Sequence, residues 1–322
     1  MAGAGLFAGA ARGQGSAADR HYTIGVLRPT GRPIGNDALR TELLLATALG
    51  QRGYVEGRNL TIETRYADGD LTRMPALARE LVQRRVDVIV AVAQSGVRAA
   101  MDATRTIPIL IWGNFDPVAL GFVQSLSRPG GNVTGVLITA DGTLAGKKLE
   151  LLKQAAPGAR RVAVLGPDDP ATLREQLPEL KRVAPALGVE LPVVSVRKRD
   201  YARAFDALVA ERAQALFVAA STYFVSDRKP IIELALHHRL PSIWEWREQA
   251  EDGGLMAYGA SLVARVQQIA DHVDRILRGV KPADIPLDRP THQELTINLR
   301  TARSIGLVVP PALTLLASHV IE

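Results

Sequence analysis

Cysteine is absent from the 322-residue chain, which removes disulfides, thiolate nucleophiles and cysteine-ligated zinc together and leaves the redox compartment open. Aromatic residues are scarce at 5%, and the 39 Lys+Arg and 33 Asp+Glu are interspersed instead of gathered into runs. The net charge of +6 therefore lacks the basic stripe with interleaved aromatics that nucleic-acid recognition needs, and no nucleic-acid partner is expected. No stretch reaches the roughly 18 uninterrupted apolar residues of a spanning helix, so no membrane span is expected. The six histidines form no HExxH pattern, and adjacent His237 and His238 point to different helix faces; no metal and no cofactor is expected.

Three apparent motifs fail on context. Gly3-Ala4-Gly5-Leu6-Phe7-Ala8 spells a dinucleotide fingerprint but precedes the first strand instead of following one. The segment 142–148 has one residue too few between its glycines for a phosphate loop, and it reads as a helix start whose lysines, Lys147 and Lys148, face solvent. Ser95, in Gln94-Ser95-Gly96, lacks the flanking glycines of a nucleophile elbow and any obvious base, so no catalytic triad and no enzyme is expected. The aspartates of Asp68-Gly69-Asp70 and Asp168-Asp169 precede helices and read as caps.

What is present is an ordinary globular composition, 47% hydrophobic and 22% charged, with a length that suggests about two domains. The opening residues 1–20 are Ala/Gly-rich and read as the remnant of an export signal or an unstructured terminus, with Ala8-Gly9-Ala10 as a small-x-small cleavage pattern. From residue 22, nearly continuous apolar runs at 22–27, 60–64, 86–92 and 107–112 alternate with helical patterns at 37–50, 71–84 and 95–104. Apolar strands alternating with helices indicate a parallel sheet covered on both faces.

The pattern then repeats, with strands at 161–167, 213–220 and 239–244 and a helix at 200–212. Turn-plus-strand segments at 130–136 and 253–259 read as connections between two lobes, and Gly135, Val136, Tyr258 and Gly259 are the hinge candidates. A helix at 262–278 docking back on the first lobe and a strand at 294–299 on the second would make three crossings. The fold class is α/β, two doubly wound parallel-sheet lobes joined by a three-segment hinge. The lobes are expected at 21–136 plus 260–290 and at 137–259 plus 291–322.

Ligands of open parallel sheets bind at the carboxyl ends of the strands. The loops there contain Thr30, Gln94, Ser95 and Asp116 in the first lobe and Ser221, Tyr223, Glu245, Trp246 and Arg247 in the second. Helix N-termini after Thr30, Gln94 and Pro167 suit an anionic head group, with the hydroxyls of Thr30, Ser95 and Ser221 adding hydrogen bonds. Strand alternation would put Trp244 and Trp246 on one side and Glu245 and Arg247 on the other, leaving one tryptophan for the core and one for a planar or cationic ligand. Ser95 and Asp116 could equally serve as plain helix caps.

Several segments together resemble the ABC-transporter substrate-binding proteins related to tryptophan/tyrosine-type binding components. They are Asp116-Pro117-Val118-Ala119-Leu120-Gly121-Phe122-Val123, Arg128-Pro129-Gly130-Gly131-Asn132-Val133-Thr134-Gly135, Lys147-Lys148-Leu149-Glu150-Leu151-Leu152, His238-Arg239-Leu240-Pro241, Gly253-Gly254-Leu255-Met256-Ala257-Tyr258-Gly259 and Ile297-Asn298-Leu299-Arg300-Thr301-Ala302. The resemblance implies a type I periplasmic-binding-protein fold and no catalysis. It implies a periplasmic, monomeric protein that delivers a small solute, an amino acid (aromatic in some relatives) or an organic acid, to ABC permease subunits. The family's cleft positions fall on the nine loop residues just named. The alternative is a bilobed ligand sensor feeding a signalling or regulatory partner.

Overall fold

The computed structural model describes residues 20–32, 41–138, 144–168, 170–290 and 292–322. The expected signal remnant and the fingerprint at Gly3 lie outside these residues, as does the start of the helix expected at 37–50.

The first lobe runs β1 (Tyr22–Arg28), α1 (Thr41–Gly50), β2 (Leu60–Tyr66), α2 (Met74–Gln83), β3 (Val88–Val92), α3 (Ala93–Ala103), β4 (Ile109–Gly113) and β5 (Val133–Leu137). The second continues with α4 (Leu144–Ala155), β6 (Val162–Pro167), α5 (Pro170–Leu187), β7 (Val193–Val196), α6 (Tyr201–Ala210), β8 (Ala215–Val218), α7 (Thr222–Ser226), α8 (Arg228–His237), β9 (Ser242–Trp244), α9 (Arg247–Glu251) and β10 (Met256–Gly259). Then come α10 (Leu262–Leu277), β11 (Glu294–Asn298), α11 (Leu299–Ser304), α12 (Pro311–Leu316) and β12 (His319–Ile321).

A five-stranded sheet of order β2-β1-β3-β4-β5 is parallel throughout. A seven-stranded sheet of order β12-β11-β10-β9-β8-β6-β7 is parallel except where β10 meets β11. Each sheet buries both faces, which is why its inner strands read as unbroken apolar runs. In the first lobe Ile24, Val26, Val88 and Val90 pack with Leu45 and Leu49 of α1, and Ile89, Ile109 and Ile111 pack on the other face with Leu77, Leu81 and Val97. In the second, Leu149, Leu152 and Leu180 cover one face, and Phe205, Leu208 and Ile231 the other.

Helix α10 follows the second-lobe strand β10 yet returns to the first sheet. Its buried residues Leu262, Val266, Ile269, Val273 and Ile276 recur every three or four positions, form one stripe, and join the core of β1 and α1. The Tyr54 hydroxyl donates to Asp274 at 2.9 Å across that contact, and burial followed by this bond pushes the phenol up to about 12. After α10 the chain crosses again, with the Asp288 N–H on Gly135 O at 2.9 Å, and enters the second sheet as β11.

Three strands start later than their apolar runs suggest, for one shared reason. Helices α2, α6 and α8 end on an arginine with left-handed backbone: Arg85 (φ 53), Arg212 (φ 54) and Arg239 (φ 51). The next residue's N–H folds back to a helix carbonyl, Val86 to Leu81, Ala213 to Leu208 and Leu240 to Ala235. These residues therefore close helices in Schellman motifs before β3, β8 and β9 begin.

Candidate functional site

The C-terminal ends of the first sheet's strands carry an abrupt strand-to-helix turn. Strand β3 passes into α3 with no linker: Val92 is the N-cap without a side-chain cap bond, and Ala93 takes φ 61. A left-handed alanine costs energy that surrounding contacts must offset. The first-turn N–H groups of α3 have no side-chain cap, and N–H groups so placed suit an anion. Gln94 and Ser95 are the second and third residues of this turn and are half-buried; Ser95 is not the helix's cap. Gly96 lets the helix lie against β1, because a Cβ there would come 3.3 Å from Leu27 O.

Thr30 follows β1 and is buried, and its Oγ1 finds no hydrogen-bond partner among the described residues. Asp116 is exposed and its Oδ1 accepts the N–H groups of Val118 (2.9 Å) and Ala119 (3.0 Å). The carboxylate thus closes its own turn, the cap reading of its Asp-Pro sequence.

From the second lobe, Ser221 caps α7 through Oγ, which accepts the Tyr223 N–H at 3.2 Å. The Tyr223 hydroxyl donates to Pro29 O of the first lobe at 3.4 Å. Glu245, just past β9, is buried; its Oε2 is 2.6 Å from Lys148 Nζ, and its Oε1 has no partner. Lys148 is 1% exposed and lies 4.9 Å from the Phe217 ring centroid, so the expectation that both lysines of this segment face solvent holds for Lys147 alone. One helical position, about 100° of rotation, separates the two.

The expected alternation through Trp246 fails, because β9 ends at Trp244. Trp244 is wholly buried in the second-lobe core, with Nε1 on Ser242 Oγ at 2.9 Å. Trp246 is instead the N-cap of α9 and packs, with Val225, into the first-lobe cluster that contains Trp112 and Ile138. It is a seam residue between the lobes, not an open stacking surface. Arg247 turns outward to Glu251 (2.6 Å) and His319 (3.2 Å), which takes its charge away from the other candidates.

Of the hinge candidates, Gly135 and Val136 lie inside β5, pinned between β4 and Asp288. Gly135 (φ 150) is needed for close approach, since a Cβ would stand 2.3 Å from Ile111 O. Tyr258 pairs with Leu295, and burial pushes its phenol up. Gly259 sits at the second crossing, against Glu245 O, where a Cβ would come within 2.1 Å. Nearby, Glu248 of α9 is buried, which raises its carboxyl above the ordinary range.

Sequence reasoning passed over a charged cluster at the same end of the first sheet. Arg28, at the end of β1, is buried; its Nε lies 2.7 Å from Glu42 Oε1, it bonds Thr41, and its guanidinium is 5.6 Å from the Trp112 ring centroid. The Tyr66 hydroxyl also reaches Glu42 Oε1 at 3.1 Å. The available signal was an arginine at the end of β1 and a tryptophan one residue before the end of β4, in otherwise largely apolar strands. Trp112 Nε1, like Thr30 Oγ1 and Glu245 Oε1, is buried with no partner. Buried unpaired polar atoms are costly, and these three fall at carboxyl strand ends of both lobes. Among the described residues no His/Cys/Asp/Glu group could hold a metal ion, and no helix is long and apolar enough to cross a membrane.

Comparison with known proteins adds four findings. A family model described as ABC transporter substrate binding protein matches residues 34–321. A tyrosine-binding protein of Clostridioides difficile (strain R20291) is 27% identical over 261 residues, 81% of this chain and 74% of the relative. Among solved structures, an ABC domain in complex with L-Trp from Streptococcus pneumonia matches with a TM-score of 0.77 at 22% identity, covering 94% of this chain and all (100%) of that one. A ligand-free, open structure of a substrate-binding protein with adhesive properties from Clostridium difficile gives 0.59 at 25% identity, covering 94% and 99%. The chain thus superposes better on the L-Trp complex than on the open structure.

Proposed function

Because the chain belongs to the family of ABC transporter substrate-binding proteins, we propose that it is the exported, periplasmic solute-binding component of an ABC importer, capturing an aromatic amino acid between its lobes. The observation that carries this reading is the uncapped first turn of α3, whose strained entry at Ala93 presents N–H groups to a carboxylate. Gln94 and Ser95 lie in that turn. The ligand's ammonium is directed to Glu245, whose second oxygen Lys148 leaves unpaired. The tyrosine-binding relative and the L-Trp complex support an aromatic side chain.

Binding, without catalysis, is then the whole of the activity. The lobes, at 21–136 plus 260–290 and 137–259 plus 291–322, close about the crossings, and the closed form is what permease subunits read. A ligand shifts that equilibrium only if it binds the closed form better, which requires contacts from both lobes. The first lobe supplies the α3 turn, the second Glu245. Calorimetric titration with L-tyrosine and L-tryptophan tests the reading. Ser95→Ala is expected to weaken binding about fivefold, near 1 kcal/mol for a lost hydrogen bond. Unchanged affinity would remove the Ser95 hydroxyl from the site.

A further inference from the structure

The segment Pro29 to Gly31 is held by its own lobe and touched by the other. The N–H groups of Ala67, Asp68 and Gly69 bond to Arg28 O, Thr30 O and Pro29 O at 2.9, 3.3 and 2.9 Å, so the segment extends the β1–β2 pairing as a firm edge. From the second lobe the Tyr223 hydroxyl reaches Pro29 O. Arg199 lies beside the same segment: a methyl group on Gly31 would lie 3.2 Å from Arg199 Nη1 and 3.4 Å from Asp68 Oδ1. A cation of one lobe and a carboxylate of the other thus flank the same glycine.

Arg199 is held in one pose. It lies in the turn between β7 and α6, where Lys198 (φ 49) and Arg199 (φ 60) both take left-handed backbone. Its Nε and Nη2 donate to the Asp227 carboxylate, Nε at 2.6 Å, and the Tyr201 hydroxyl donates to the same buried carboxylate. A two-point bond fixes the guanidinium plane and leaves Nη1 as the edge toward Gly31 and Asp68. Bonding to Asp227 holds the guanidinium above its ordinary range, and burial, then the Asp227 charge, pushes the Tyr201 phenol up. Arg199 therefore stays charged and the Tyr201 phenol stays protonated around neutrality.

We propose that Arg199, positioned by Asp227 and Tyr201, is an interlobe latch that sets the closed fraction of the protein and so its ligand affinity without touching the ligand. This rests on the closure reading above. Closure brings Nη1 against Gly31 and into the field of Asp68; opening separates them. A side chain at Gly31 would crowd this edge, since its Cβ alone would lie 3.2 Å from Arg199 Nη1.

The absence of cysteine makes the test clean. Spin labels at Arg79→Cys on α2 and Asp206→Cys on α6, both exposed, report the lobe separation of the full chain without ligand. The latch predicts a short-distance population that shrinks in Arg199→Ala and in Gly31→Val and is partly kept in Arg199→Lys. It also predicts about a tenfold rise in Kd for L-tyrosine or L-tryptophan, carried by faster dissociation. Arg199→Ala strips the buried Asp227 of its cation and can unfold the lobe; Gly31→Val touches neither Asp227 nor Tyr201 and gives an independent answer. Distance distributions unchanged in both variants overturn the latch. A wild-type protein that binds neither amino acid, yet loses its short-distance population in the variants, keeps the latch and counts against the amino-acid reading.

Discussion

Lys148 and Glu245 are both almost fully buried and 2.6 Å apart. Removing one partner of such a pair strands the other charge in an apolar surrounding, whereas neutralising both can cost little. Lys148→Met is therefore expected to destabilise the protein by about 3–5 kcal/mol, and Lys148→Met combined with Glu245→Gln by much less, measured as shifts of the urea midpoint. Equal losses in the single and double variants would show that the pair acts through packing instead of charge. In the sequence this lysine is one of two adjacent lysines in a helix start, and the helical period puts it on the buried face with Ala145, Leu151 and Leu152. Its partner Glu245, 97 positions away, is what no local pattern shows. Arg28 is the same case: its partners Glu42 and Trp112 come from other elements, so its role at the site became legible only with the fold.

Among the elements, the order of strands and helices was legible because parallel strands buried on both faces leave unbroken apolar runs. Their first residues were not, because Val86, Ala213 and Leu240 have strand-like composition but serve as helix closers. Glycine usually marks such an end, as at Gly188 (φ 62) and Gly279 (φ 97). Arginine at Arg85, Arg212 and Arg239 hides it. The left-handed conformation costs a non-glycine residue about 1–2 kcal/mol, and glycine's extra unfolded-state freedom returns about 0.5–1 of that. Arg85→Gly, Arg212→Gly and Arg239→Gly are thus each expected to stabilise by about 0.5–1 kcal/mol. The check is a higher urea midpoint with an unchanged denaturant slope; a loss of stability would mean that the exposed arginine side chains make contacts outweighing the backbone cost. The recurrence of one closing device in α2, α6 and α8 also shows the internal repeat at a level finer than strand order.

For the molecule as a whole, the return of α10 to the first sheet and of β11 to the second gives the chain three passages between lobes, as the two crossing segments and the alternating strand at 294–299 suggested. The loops at the carboxyl strand ends were legible in the sequence as loops, and topology alone makes them the candidate place for a ligand. Which of their residues face that place was not, because it depends on where each strand stops. Ending β9 at Trp244 sends Trp246 into the seam and Arg247 to the surface, and the turn after β4 engages Asp116. Ser95, Gln94, Thr30, Tyr223 and Glu245 stay as the proposed contacts of a ligand held by both lobes.

The central claim is that an amino acid binds between the lobes and draws them together. The most direct test is titration of the protein with L-tyrosine, followed at once by tryptophan fluorescence and small-angle X-ray scattering. Trp112 and Trp246 lie in the seam, so the account predicts a saturable one-to-one fluorescence change and, at the same ligand concentrations, a smaller radius of gyration. Binding with no change in the radius of gyration, or no saturable signal with either L-tyrosine or L-tryptophan, would contradict it.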